Sequence, residues 1–518
     1  MASDLPRKLS DGSAAEYVEH HHLEKPSEGG ALEGVLGYKG ELTRNRSLFT
    51  LLFQSLAIAA VPYGEGGPLL SAIYGGGQLS IFIGWIVANL LTECTAVSLG
   101  ELASRYPTSG GPSYWTFQVA GQDAKATLAA FITGWVFLIG NWTITLSVNF
   151  GFASLLSGTI AMYYGDFTLN AWQLLLIFWA LCVLSMLICT FGNRWLPLVD
   201  TLCAAWTLLS IVVILIALSV KADAGRHSPS YSLGHYDTSL AGWAGFTFFI
   251  GLLPAAYCFS AVGMISSMAE ECADPVIKVP NALALSVPTG TIAGLFFVVP
   301  ICVTLPPLAE ILEAPNGQAL PYVFKTVMGG PSAALGLMVL VLVVTLFCSI
   351  SITNAASRTT WAFARDHGIP GARLWAKVNQ RCNVPVNALV LVTLVQMLLG
   401  LINLGSTSAF TAFVSVGVQA LALSYAIPIA ISLCTGRREV NQAKWTLGAY
   451  VGPVVNAMAL AWISFEMVLF SMPTALPVTA ASMNYASVVL VGFGAIAAMS
   501  YIVYLRKVYN GPPTSEGM

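Results

Sequence analysis

The sequence predicts an all-α integral membrane protein of twelve transmembrane helices, and three observations carry that prediction. The 518 residues are 56% hydrophobic and only 9% charged, with a mean hydropathy of +0.73, where a soluble chain averages about 25% charged residues. Apolar runs of about 20 residues, the length that crosses a bilayer, recur twelve times along the chain. The 23 Lys and Arg residues also sort by side. With the N-terminus inside, the alternating connections place 20 of them on the cytosolic side and leave only Lys221, Arg226 and Lys325 outside. That asymmetry is the positive-inside rule. One missed span would put the later loops on the wrong side.

Taken in order, the apolar segments are 47–74, 78–100, 125–156, 171–191, 196–219, 242–268, 284–305, 334–356, 386–404, 409–434, 447–471 and 485–506. They define one transmembrane domain, 47–506, flanked by a polar, disordered cytosolic tail over 1–46 and a short cytosolic tail over 507–518. The His20-His21-His22 run falls in the first tail, and no neighbouring residues complete a metal-ligand set around it. The ten cysteines lie in apolar segments or cytosolic loops and suggest no disulfide framework. The sequons at Asn45 and Asn141 fall in the cytosol or the membrane and are expected to stay unmodified. The outer connections 221–240 and 306–332 read as simple links, the second with a short surface helix at Ala309–Glu313.

Segment 1 is the one on which function turns. Its apolar run is interrupted by Pro62-Tyr63-Gly64-Glu65-Gly66-Gly67-Pro68. Three glycines and two prolines in seven positions disfavour a regular helix. Backbone freed at membrane depth is tolerated where it lines a cavity or binds a ligand. Segment 6 carries a second interruption, where Pro254 and Gly263 flank Tyr257-Cys258-Phe259-Ser260-Ala261-Val262. Two broken helices five apart are the pattern of a 5+5 inverted repeat, helices 1–5 and 6–10, with helices 11 and 12 added.

Few ionisable groups lie within the spans. Glu65, Glu93 and Glu466 are the acids, and no basic residue falls in a span interior. Such acids are functional candidates by default. Glu93 follows Asn89 by one turn and is expected to bond to it. Glu466 lies outside the repeat core and reads as structural, and Asp200 at the start of segment 5 can snorkel. Segment 8 places Thr345, Ser349, Thr353 and Ser357 at intervals of four, a hydroxyl stripe on one face. Interhelical packing by small polar residues is the plain alternative for that stripe.

Three further stretches carry a family resemblance. They are Gly100-Glu-Leu-Ala-Ser-Arg-Tyr-Pro-Thr-Ser-Gly-Gly-Pro-Ser-Tyr-Trp115, Ala269-Glu-Glu-Cys-Ala-Asp-Pro275 and Ser357-Arg-Thr-Thr-Trp-Ala-Phe-Ala-Arg-Asp-His-Gly-Ile-Pro370. Together they resemble the amino acid–polyamine–organocation superfamily, and within it the fungal amino acid/choline transporters. The resemblance runs from about residue 40 to 505. It implies that Gly64, Gly66 and Gly67 receive a substrate carboxylate at the first break, and that Phe259 gates or walls the site. By the same resemblance the substrate site comprises Tyr63, Gly64, Glu65, Gly66, Gly67, Phe259, Ser260 and Ala261. Ser349 and Thr353, with Glu65, become candidates for ion coupling. The chain departs from its relatives at Gly263 and Ser267, where they usually carry an Asp and a His.

The function that follows is a secondary active permease for a small nitrogenous solute: an amino acid, choline, GABA or a polyamine-like amine. Proton coupling is expected from the resemblance, with sodium as the other choice, in a multi-pass protein of the plasma membrane with both termini cytosolic. Glu65 would carry the coupling proton or face the substrate's ammonium. A nutrient sensor that keeps the fold is the alternative, and the short tails argue against it. An enzyme is not expected, because no nucleophile constellation, histidine cluster or metal spacing lies in the spans; nor is a cofactor, a metal or a nucleic-acid partner. The oligomeric state is open.

Overall fold

The computed structural model describes residues 38, 41–164, 169–314, 317–405, 409–479 and 483–513, with backbone alone at 409 and 410. Among the described residues, twelve helices are long and apolar enough to span a bilayer. In chain order they are α1 (Leu48–Gly66), α2 (Gln78–Arg105), α3 (Ala124–Ala161), α4 (Ala171–Phe191), α5 (Asn193–Lys221) and α6 (Ala244–Glu271). The second six are α7 (Pro275–Thr304), α8 (Pro331–Arg365), α9 (Val386–Leu404), α10 (Thr411–Cys434), α11 (Gly448–Leu469) and α12 (Ala486–Val503). Each overlaps one segment expected from the sequence.

The packing partners repeat when helix numbers advance by five. α5 lies on α1 and α8, and α10 lies on α6 and α3. α3 meets α4 as α8 meets α9, while α2–α7, α3–α8 and α4–α9 pair across the halves. Five is odd, so a repeat of five crossing helices enters the membrane from the opposite side, which is why the second copy is inverted. The most enclosed spans are α6, α3 and α10, 83%, 72% and 72% buried over their apolar windows, whereas α12 is only 11% buried. Large apolar side chains remain exposed on α4, α5 and α12, among them Leu176, Val213 and Ile502, as lipid-facing helices require.

Four expectations need correction. Most of the 1–46 tail lies outside the described residues, the histidine run included, but Tyr38 and Arg46 are buried against the helices rather than loose. Residues 507–513 are likewise anchored: Tyr509 packs its ring on Phe131 at 5.4 Å and Phe363 at 6.2 Å. Helix α8 runs beyond its apolar stretch to Arg365, so Arg358 sits inside a span and is fully buried. The reason is pairing with carboxylates on α6, described below. Finally, the α7–α8 connection is more than a link. It forms a helix at Leu308–Leu312, as expected, then a second at Ala319–Val327 that buries Leu320, Val323 and Phe324. Leu320 reaches the Cα of Gly66, where an added Cβ would meet its Cδ2 at 2.6 Å.

Candidate functional site

The break in α1 falls earlier than the glycines suggest. Leu48–Ala59 and Val61–Gly66 are both helical, and the chain turns at Ala60, which adopts a left-handed conformation (φ 43°, ψ 53°). Pro62 sits in the first turn of the second piece, where its missing N–H costs little. Tyr63 and Gly64 donate their N–H groups to Ala60 O at 2.7 and 2.8 Å, and Gly67 donates to Tyr63 O at 2.6 Å. The N–H groups of Gly64 and Gly67 are thus bonded inside the short helix. What the break frees is carbonyl oxygen. Ile58 O accepts from the Cys348 thiol of α8 at 3.1 Å, and Ala59 O accepts from the Cys258 thiol of α6 at 3.2 Å.

The second break is as expected in place, and its far half is unusual. A helix over Leu253–Ser260 ends at Ala261, and Val262–Glu271 continues as ten residues of tight 3-10 turns, where such runs rarely exceed four. The two breaks face each other. A Cβ on Gly64 would meet Ala59 O at 2.7 Å and the Cys258 Sγ at 2.8 Å. Tyr63 is buried, donates its hydroxyl to Ser147 O of α3 at 3.2 Å and lies 3.5 Å from the Tyr257 hydroxyl. Tyr257 in turn shares a 2.9 Å hydrogen bond with Ser147 Oγ. Phe259 packs its ring against Gly290 of α7 and 5.9 Å from the Trp85 ring of α2. Ser260, half-buried, donates to Tyr257 O at 2.9 Å.

Glu65 is the exceptional residue at this junction. It is 98% buried, with 2% exposure, and its Oε2 has no hydrogen-bond partner among the described residues. No salt bridge among the described residues involves it. An enclosed carboxylate left so is costly. Gly66 and Gly67 adjoin it, and Gly67 also lines a cavity of about 90 Å3 with Ser71, Tyr74 and Gln318 under the α7–α8 connection.

The hydroxyl stripe of α8 does not act as one unit. Ser349 donates to Asn149 Oδ1 of α3 at 2.5 Å and pairs with Ser185 Oγ of α4 at 2.6 Å, while Asn149 donates to Gln396 of α9 at 2.7 Å. Ser349 therefore ties four helices together. Thr353 is buried with its Oγ1 unpartnered among the described residues. Asn89 and Glu93 do not bond: both polar atoms of Asn89 and Oε2 of Glu93 lack partners among the described residues.

The three sequence stretches that carry the resemblance meet at the N-terminal face. Arg365 holds Glu270 through two 2.9 Å bonds, and Ser109 N–H donates to the same carboxylate at 3.1 Å. Glu271 takes one oxygen to Arg358 Nε at 2.9 Å and the other to Arg46 Nε at 3.1 Å. Arg46 also reaches Asp200 at 3.1 Å, so Asp200 is paired and buried rather than snorkelling. Above Arg365 lies the Tyr38 ring at 3.7 Å, its hydroxyl donating to both oxygens of Asp366 at 2.9 and 3.0 Å. Burial pushes the Asp366 carboxyl up to about 6 and holds the Tyr38 phenol well above its ordinary value. This lattice pins α1, α5, α6 and α8 together and closes that face beneath the breaks.

Sequence reasoning missed the lattice and the thiol caps. The lattice had a signal: Arg358 and Arg365 are two turns apart on one helix face, opposite the adjacent pair Glu270-Glu271. The caps had none, because a cysteine in an apolar run reads as a small hydrophobe.

Residues 47–493 match the family described as amino acid permease. The chain is 30% identical to an amino-acid permease of Arabidopsis thaliana over 92% of its own length and 95% of the relative's. It is 28% identical to a choline transporter of Saccharomyces cerevisiae, covering 95% of this chain and 87% of that one. A polyamine transporter of the same yeast is 29% identical over 81% of this chain and 68% of its own.

Proposed function

This chain belongs to the amino acid permease family, a family of multi-pass membrane transporters of small nitrogenous solutes, and from that premise we propose that it carries a small organic cation by alternating access around the broken helices α1 and α6. The observation that carries the reading is Glu65: an enclosed carboxylate with an unpartnered oxygen, beside the α1 break and with no cation of the protein paired to it among the described residues. A substrate ammonium is its natural complement. The commitment of the Gly64 and Gly67 N–H groups within their own helix argues in the same direction, since it weakens the case for a substrate held by its carboxylate. Choline, a polyamine or a cationic amino acid fits this chemistry, in keeping with what the choline and polyamine transporters among its relatives are named for. The Arg46–Asp200–Glu271–Arg358 lattice is the cytosolic gate that separates for release. Transport is proton-driven, across the plasma membrane, with both termini cytosolic. Uptake of labelled choline, spermidine, arginine and glutamate in a transport-null cell tests the reading. Glu65→Gln should abolish the cation uptake that the wild type shows at normal surface expression; unchanged cation uptake by that variant overturns it.

A further inference from the structure

A second cavity, mostly apolar but with an acid and several hydroxyls in its lining, lies outside the α1 break, between α2, α6, α10 and α11. Its volume is about 20 Å3, enough for one water-sized occupant. Thr92 and Thr95 reach it from the middle of α2, Phe259 and Ser260 from the break of α6, Tyr425 from α10 and Glu466 from α11. Its polar lining is oxygen apart from the indole N–H of Trp462, which donates to Glu466. The Thr92 hydroxyl spends its proton on Ala88 O at 2.8 Å and Ser260 spends its own on Tyr257 O at 2.9 Å, so lone pairs remain. The Thr95 Oγ1 is more than nine-tenths buried and has no partner among the described residues, and the buried Tyr425 hydroxyl lies against Gly263 of α6; both hydroxyl oxygens keep a lone pair for a cation.

Glu466 is 5% exposed and is the one charged side chain in this lining. Among the titratable groups of the packed helices, Glu93 and Cys94 lie between Thr92 and Thr95 on α2, Tyr425 lines the cavity from α10, and Cys258 of α6 commits its thiol to Ala59 O on α1. None supplies a positive charge. An ionised acid enclosed without a basic side chain in its lining needs a cation. We propose that this cavity binds one small monovalent cation, a sodium ion or a proton shared with a single water, with Glu466 as its anionic ligand and Ser260, Thr92, Thr95 and Tyr425 as its neutral ones.

The position gives the site a consequence. Ser260 and Phe259 belong to the α6 break, so an occupant here biases the same element that closes the substrate site. The inference deepens the transporter reading by locating its coupling ion, but its test needs no transport and can fail alone. Thermal unfolding of the purified full-length chain in nanodiscs reads it directly. Sodium chloride is titrated against N-methylglucamine chloride at constant ionic strength, and pH is varied without sodium. A sodium site raises the unfolding midpoint by several degrees on adding sodium; a proton site raises it on acidification with no response to sodium. Because Asp366 also titrates in this range, the pH arm is read in an Asp366→Asn background; there Glu466→Gln should abolish whichever response the parent shows, and Thr95→Val should weaken it. Should Glu466→Gln fail to fold, Thr95→Val and Tyr425→Phe decide, and a weakened response in either supports the site. Wild-type indifference to both ions, or variants that keep the full wild-type response, means that the cavity holds water alone and overturns the proposal.

Discussion

Gly64 is a residue of the α1 break in close contact with the α6 break. An added Cβ there would collide with backbone, Ala59 O at 2.7 Å, and with the Cys258 Sγ at 2.8 Å, whereas on Gly66 it would meet the movable end of Leu320. Gly64→Ala is therefore expected to abolish uptake and Gly66→Ala to keep most of it, measured at matched surface expression; the reverse order would place the tight approach elsewhere. The thiol caps make a separate prediction. Cys348→Ala leaves Ile58 O buried without its donor, a loss of about 1–3 kcal/mol. Thermal unfolding should show that loss, and Cys348→Ser should recover much of it. The interruption in segment 1 was legible in its glycines and prolines; its exact turn was not. A left-handed Ala60 is set by the packing of α6 and α8 around it, a tertiary effect that local composition does not encode.

At the scale of elements, the ends of α1, α5, α6 and α8 stand or fall together. Glu271→Gln removes the carboxylate shared by Arg46 and Arg358 and leaves both guanidinium groups buried. Breaking a buried pair in this way costs about 3–5 kcal/mol, and unfolding of the purified chain should report a loss of that order. Asp366 adds a pH dependence. Burial lifts its folded carboxyl from the ordinary carboxylate range to about 6. The neutral acid is thus favoured in the folded chain, so its contribution is complete at the acid end and is lost as pH rises through about 6. Asp366→Asn keeps an acceptor for Tyr38 but cannot ionise. It should flatten the stability profile between about pH 4 and 6; a profile of unchanged slope would show that the carboxyl stays ionised throughout. Pairwise spacing made the Arg358–Arg365 face readable in principle, yet counting charges by loop assigned both to a connection. The apolar stretch ends before the helix does, because ion pairs with α6 continue it.

For the whole molecule, the twelve spans and their order were readable from apolar length alone, and the five-helix offset of the breaks anticipated the packing pairs. The roof formed by Ala319–Val327 was not, since a short amphipathic helix in a connection declares no target. Orientation is testable with a native probe. Cys434 is the exposed cysteine at the end of α10, so an impermeant maleimide should label it only after the cell is permeabilised, with Cys434→Ser as the control; labelling of intact cells would reverse the topology. The central claim is that an organic cation crosses at the junction of α1 and α6, and it is tested most directly in proteoliposomes containing the full chain alone. Under an inward proton gradient they should accumulate labelled choline, spermidine or arginine, and Glu65→Gln proteoliposomes should not. Accumulation of glutamate instead, or of the same cations at an equal rate by the variant, would contradict the account.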